Sequence, residues 1–232
     1  QPLTTRYWHW LQAAATLDFG YSRTYSQPVL VIMVPALIQT GKLVGLSFVV
    51  FTAVALTLGI AAAMTKGSIM DRTINLLAFA GISVPVFFLA LMLIYLFAVR
   101  LGWLPASGMF TIGGDGSLAD TAKYYVLPTL TLTAAFAGRF TRFTRASMVE
   151  VLRMDYIRTA RAKGATETRI VLRHALRGGL LPVVSFLGPA IAGILTGSMV
   201  EEKIFALPGL GVHLVESCNQ RDYSLAMGLT MF

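Results

Sequence analysis

Three stretches of this chain, Leu43 to Met64, Thr73 to Val99 and Gly178 to Val200, contain no Asp, Glu, Lys, Arg or His. Each is long enough to cross the hydrocarbon core of a bilayer, which takes about 20 apolar residues in a helix. With 56% hydrophobic and 13% charged residues, the chain is an integral membrane protein. A fourth run, Tyr124 to Gly138, is short alone but extends through Arg139, Arg142 and Arg145, whose stems can carry their charges into the inner headgroup region. Tyr223 to Phe232 reads as the start of a fifth span. Thr24 to Gly41 is uncharged too, but Pro28 and Pro35 break it, so residues 1–42 read as an extracytoplasmic and interfacial lead-in to a membrane domain over 43–232.

Charge sets the orientation. Arg139 to Arg177 carries ten Lys/Arg and three acids between two uncharged runs, and basic loops between spans stay cytoplasmic. Lys66 and Arg72, two spans away, fall on the same side. Arg100 to Lys123 balances two basic residues against Asp115 and Asp120, and Glu201 to Asp222 sets four acids against Lys203 and Arg221. These loops and the N-terminal segment therefore face outward. Trp103, Tyr124 and Tyr125 fall near the outer ends of spans, where amphipathic aromatics favour the interface. Orientation accounts for most of the arginines, and for the net charge of +8, without nucleic acid.

Cys218 cannot form an internal disulfide, and His9, His174 and His213 are too scattered for a metal cluster, so no metal, catalytic or cofactor-binding residue is expected. Ion-coupled transporters carry an ionisable residue at membrane depth, and an intramembrane protease needs an acid, a base or a ligand pair. The three uncharged runs supply neither. Their small residues, among them Gly45, Ser47, Gly59, Gly81, Ser83, Gly188, Gly193 and Gly197, suit close helix packing. Pro85, Pro128, Pro182 and Pro189 suit kinks that serve packing or gating. No G-x-x-x-x-G-K-[ST] phosphate loop is present, so the chain is not expected to hydrolyse ATP, and energy for transport must come from a partner docked on the cytoplasmic face. The chain begins at Gln1 with neither signal peptide nor initiating Met and ends at Phe232 inside an apolar run, so both ends read as truncated.

Within the basic loop, TARAKGATETRIV runs from Thr159 to Val171. Gly164 separates two helix-like pieces and can supply the left-handed residue that ends the first. Thr166 can cap the second piece, and Glu167 suits its first turn. The segment reads as a helix, a sharp turn and another helix against the inner face of the membrane.

Residues Glu150 to Gly164, EVLRMDYIRTARAKG, followed by RHALRGGLLPVVS from Arg173 to Ser185, resemble the cytoplasmic signature loop of bacterial ABC-transporter permeases. The likeness is to the oligopeptide, dipeptide and nickel importer branch, and to the first of its two paired permeases. It continues through DFGYS at Asp18 to Ser22, GSMVEEKIFALPGLG from Gly197 to Gly211 and RDYSLAMGLT from Arg221 to Thr230. Anchored on Gly164, Arg158 stands where the general loop pattern has Glu, and Arg177 where it has Pro, departures shared by the oligopeptide branch.

The resemblance implies an all-α, polytopic helix bundle of the type I importer permease kind, multi-pass in the bacterial inner membrane. Its spans would lie near 43–64, 73–99, 124–145, 178–200 and 223–232, with a coupling loop over about 146–177. It implies a first span ahead of Gln1 and a last one completed beyond Phe232. The expected partners are a second homologous permease, two ATP-binding subunits that hold ATP and Mg, and an extracytoplasmic substrate-binding protein. Tyr156, Arg158, Thr159, Ala160, Arg161, Ala162, Lys163, Gly164 and Ala165 would form a coupling helix seated in a groove of an ATP-hydrolysing subunit. There Gly164 permits a tight turn and close approach, Ala160 and Ala162 keep the contact small, and Arg158, Arg161 and Lys163 can pair with acids around the groove. Glu201, Glu202, Phe205, Pro208, Gly209 and Gly211 would lie near the outer gate and the docking face for the binding protein. As plain residues, that stretch is a turn-rich outer loop and the two glutamates are solvated charges at a helix end.

The expected function is half of the pathway of an ATP-driven peptide importer, with nickel, glutathione or another small solute as alternatives on the same scaffold. A passive pore would need no ATPase. A membrane-anchored nucleic-acid binder would use Ala160 to Arg177 as a helix-turn-helix, but that loop is too short to bury a core of its own.

Overall fold

The computed structural model describes residues 2–111, 113 and 117–231, so Asp115 of the outer loop and Phe232 of the fifth apolar run lie outside the described residues. The architecture is helical apart from one short hairpin. Helix α1 spans Leu3–Ala15, and strands β1 (Tyr21–Ser22) and β2 (Gln27–Pro28) pair antiparallel. They are followed by α2 (Val29–Met64), α3 (Ile69–Ser83), α4 (Val86–Leu93) with a π-helical continuation to Arg100, and α5 (Leu118–Val151). The inner loop holds α6 (Asp155–Ala162) and α7 (Glu167–Arg169), a π-helical stretch leads into α8 (Leu176–Ile204), and α9 (Leu210–Asn219) and α10 (Tyr223–Thr230) close the chain.

Two expected boundaries change. The first long helix starts at Val29, not Leu43, and carries Pro35 inside it. Pro28 does not interrupt it: it occupies the N-cap position, where the missing N–H costs nothing. At 36 residues α2 is about 54 Å long, more than a bilayer core requires. The run Thr73 to Val99 is not one straight crossing either, because α3 and α4 meet at 104°. Pro85 lacks an N–H and disfavours helical geometry at the residue before it, and Val84 is extended at φ −90° and ψ 127°.

Helix α5 is the hub of the bundle, packed on α2, α3, α4 and α8. Its approach to α3 is backbone on backbone: a Cβ at Gly138 would lie 2.3 Å from the Ala78 carbonyl oxygen, and one at Gly81 2.7 Å from that of Ala134. Close approach through small residues is how helices gain contact where lipid gives no hydrophobic drive. The main core joins α2, α5 and α8 through Leu43, Phe51, Leu127, Leu132, Ile194 and Phe205. The Gly193 and Gly197 pair admits the ring of Phe136, with Cε1 3.2 Å from where a Gly193 Cβ would be.

Candidate functional site

The loop after α5 is built to present one short helix. Helix α5 ends through a tight turn, with Met154 N–H donating to the Val151 carbonyl at 3.0 Å, and α6 begins at once. Ile157, fully buried, plugs α6 into a cluster with Ala63, Met148, Val151, Ile170, Val171 and Ala175. That anchor turns Arg158, Thr159, Arg161, Ala162, Lys163 and Gly164 outward, while Ala160 and Ala165 are half-buried and Tyr156 is 45% exposed.

The stop of α6 is a Schellman motif. Gly164 has φ +79°, its N–H donates to the Arg161 carbonyl at 2.9 Å, and the Ala165 N–H donates to that of Ala160 at 3.2 Å. Side chains other than glycine lose about 1–2 kcal/mol in this left-handed region. Apart from Gly164 and its chain neighbours, no atom of the described residues lies within 4 Å of a Cβ placed there, so its bareness serves the turn and the outside, not packing among them.

Two details of the loop differ from expectation. Thr166 takes the N-cap backbone geometry, but its side chain makes no capping bond, and helix entry is carried by the Ile170 N–H donating to the Thr166 carbonyl at 2.9 Å. The second piece is not a separate helix; it runs on into α8 as one helical body from Glu167 to Ile204. The cations are also partly committed inside the chain. Arg161 grips Glu167 across the Gly164 turn with two bonds of 2.7 and 3.1 Å, and Arg158 meets Asp155 at 3.3 Å. Lys163 has no ion pair among the described residues. Beside it opens a cleft of about 550 Å³ whose walls include Tyr156, Lys163, Gly164, Arg169 and Arg173.

A second inner feature escaped the sequence reading. Asp71, 4% exposed, takes two bonds from Arg145, one from Asn75 Nδ2 at 2.7 Å and one from the Gly67 N–H at 2.9 Å. The signal was present as Ser68-x-x-Asp71, a helix-start pattern in which Ser68 Oγ accepts from the Asp71 N–H at 3.2 Å. Arg145 is therefore not a cation reaching for headgroups but the partner of a buried acid.

At the outer end, the expected loop over Gly197 to Gly211 is mostly helix: α8 runs to Ile204, turns tightly, and re-enters helix at Leu210. Glu201 and Glu202 are buried, 0% and 1% exposed, and so are not solvated charges. Glu202 accepts from Thr40 Oγ1 at 2.5 Å and from the Gly211 N–H at 2.8 Å, while Thr40 Oγ1 accepts from the Leu210 N–H at 2.8 Å. A carboxylate at the start of α9 satisfies orphan donors and complements the helix dipole. Gly209 makes room for it, since a Cβ there would lie 2.2 Å from Glu202 Cδ. Neither oxygen of Glu201 has a partner among the described residues. Phe205 belongs to the core and Gly209 and Gly211 are buried, which leaves Pro208 as the exposed member of the six.

A separate network joins the β1–β2 hairpin to α9 and the start of α10. Ser22 Oγ donates to Asp222 Oδ2 at 2.5 Å, the Thr24 N–H donates to the same oxygen at 3.0 Å, and Tyr25 Oη donates to Glu216 Oε2 at 2.8 Å. Burial, then the bond to Glu216, pushes the Tyr25 hydroxyl up to about 12. Burial also raises Asp222, but the bonds from Ser22, Thr24 and Leu225 more than offset it and hold the carboxyl below its ordinary value. Burial depresses His213, which sits edge-on to the Tyr25 ring, against the opposing pull of Glu216. The DFGYS and RDYSLAMGLT motifs are thus packed against each other as one unit.

Residues 55–232 match the family described as binding-protein-dependent transport system inner membrane component. The chain is 43% identical over 223 residues to the glutathione transport system permease protein GsiC of Escherichia coli strain K12, covering 96% of this chain and 70% of the relative. It is 42% identical, with the same coverage, to GsiC of Salmonella typhi. A solved structure described as inward facing conformations of the MetNI methionine ABC transporter is similar in fold, with TM-score 0.68, 20% identity, and 87% of this chain and 88% of that one covered.

Proposed function

The chain belongs to the family of binding-protein-dependent transport system inner membrane components, as a permease subunit of an ABC importer, and we propose that its solutes are small peptides of the glutathione class. The relatives described as glutathione permeases support the solute. The energy comes from partner subunits that bind ATP and Mg, two on the cytoplasmic face, and a second homologous permease completes the pathway. An extracytoplasmic binding protein delivers the peptide.

The observation that carries the coupling is the way α6 is mounted. Its outer face is free, its stop is fixed by Gly164, and its inner face is plugged by Ile157 into residues of α5 and of the helix leading to α8. A push on α6 therefore reaches both spans through packed side chains, which shift as units because cores are not continuously deformable. The Asp71–Arg145 pair extends the same body to α3.

The test is co-purification of the full-length protein from membranes, followed by ATP hydrolysis with and without binding protein loaded with glutathione or a tripeptide. Stoichiometric recovery of an ATPase and a second permease, with hydrolysis stimulated by loaded binding protein, is the expected result. Recovery of the chain alone in mild detergent, with unchanged flux on ATP removal, would favour a passive pore.

A further inference from the structure

A groove of about 350 Å³ runs between α5 and α8, walled by Phe136, Phe140, Phe143, Phe186 and Pro189, with Arg139 on its rim between Phe136 and Phe143. A second cleft of about 500 Å³ continues from Arg139 and Phe143 to Arg142 and Arg145. The two share Arg139 and Phe143 as a wall, so an aromatic groove and a basic mouth lie side by side. Both volumes fall in the range that holds small molecules. Phe143 and Phe186 meet edge to face, with centroids 4.5 Å apart, and bridge the two helices across the groove.

The arginines of this mouth are not equivalent. Arg145 is neutralised by Asp71, whereas Arg139 and Arg142 are exposed and make no hydrogen bond or ion pair among the described residues. They lie three residues apart and so share a helix face. Arg139 stands six residues to the membrane side of Arg145, about 9 Å along the axis. Unpaired cations on a membrane helix belong beside water, polar headgroups or a protein interior, not against lipid tails.

We propose that this groove and the basic mouth beside it are a station on the solute path in which Arg139 and Arg142 receive a carboxylate that the passing peptide carries besides its C-terminal one, while its apolar parts slide over the phenylalanines. The inference rests on the importer reading above. Two guanidinium forks suit a planar carboxylate, and unpaired arginines pull the anionic group toward the cytoplasmic mouth. Aromatic walls bind side chains without demanding particular hydrogen-bond partners, so the station selects for charge more than for sequence.

The experiment reconstitutes the complete complex in vesicles and measures binding-protein-dependent uptake of Ala-Glu-Ala and of Ala-Gln-Ala, peptides of nearly equal size that differ by one carboxylate. The expected result is that the uptake ratio of the first to the second falls about tenfold in R139Q/R142Q and recovers in R139K/R142K. The ratio is insensitive to losses of folding or assembly, which lower both uptakes together. An unchanged ratio, with wild-type uptake intact, overturns the station alone; wild-type failure to import either peptide overturns the peptide solute proposed above and the station with it. If the arginines instead hold lipid phosphate, the double Gln variant lowers both uptakes equally. In that case wild type loses uptake likewise when phosphatidylglycerol is replaced by phosphatidylcholine, and that pair of results also overturns the station.

Discussion

Arg145 and Asp71 meet through two parallel bonds, Nε to Oδ1 at 2.5 Å and Nη2 to Oδ2 at 2.7 Å, and so tie the inner end of α5 to the first turn of α3. The acid is buried and also takes bonds from the Gly67 N–H and Asn75, so the pair is part of the fold and not a surface decoration. Asp71→Asn removes the charge and leaves a guanidinium facing an amide. The expected loss is about 2–3 kcal/mol, less than for a fully buried pair because a quarter of Arg145 stays exposed. Thermal unfolding in detergent checks it. Arg145→Ala alone should cost a similar amount, and the double variant should cost much less than the sum of the two.

Gly164 offers a graded series. Gly164→Asn tolerates the left-handed geometry and should preserve ATPase recovery, while Gly164→Ala loses about 1 kcal/mol at the α6 stop. Gly164→Trp adds a bulky ring where the chain itself has open space, so membrane insertion should persist while the ATPase no longer co-purifies. Normal ATPase recovery and uptake in the Trp variant would remove α6 from the coupling role.

The adjacent glutamates of α8 should behave oppositely. Glu202→Gln weakens the charge-assisted bonds to Thr40 and Gly211 at the start of α9 and should lower stability by about 1–2 kcal/mol. Glu201→Gln, at a carboxyl with no partner among the described residues, should be neutral or stabilising. Melting curves of the two single variants, compared side by side, decide the contrast.

The contact of the β1–β2 hairpin with α9 and the start of α10 should weaken at both ends of the pH scale. Tyr25 holds its proton more tightly folded than unfolded, so its contribution is intact below pH 10 and is lost as pH rises from 10 toward about 12. His213 and Asp222 are shifted the other way: each favours its deprotonated form in the folded protein. Their contributions are present above the ordinary values, 6.5 and 3.8, and fade as pH falls through and below them. Hydrogen exchange of the β1–β2 hairpin should therefore be slowest between about pH 7 and 10 after correction for intrinsic rates. Asp222→Asn should remove the most acidic limb.

Much of this molecule could be read from residue order because bilayers impose simple conditions. Uncharged runs near 20 residues had to become helices, and Gly164 after TARAK had to be a helix stop. The Tyr156 to Ala165 segment is local in the chain, so its motif and its geometry coincide. The outer site was less legible. Glu201 and Glu202 looked like surface charges because neither Thr40 nor the start of α9 is near them in sequence, and only folding brings Thr40 Oγ1 to Glu202. Asp71 carried a helix-start signal, but nothing in the chain order names Arg145 as its partner.

The sequence by itself determined what each segment must be: which runs are helices apolar enough to enter a membrane, and where α6 stops. Those are properties of short windows, decided by transfer of side chains between water and lipid and by backbone sterics. The tertiary structure alone decided which charges are free. It withdrew Arg145, Arg161 and Glu202 into partnerships, left Arg139 and Arg142 open beside an aromatic groove, and joined Ser22 to Asp222 across nearly the whole chain. Pairing depends on approach between segments far apart in sequence, and composition and periodicity carry no distances.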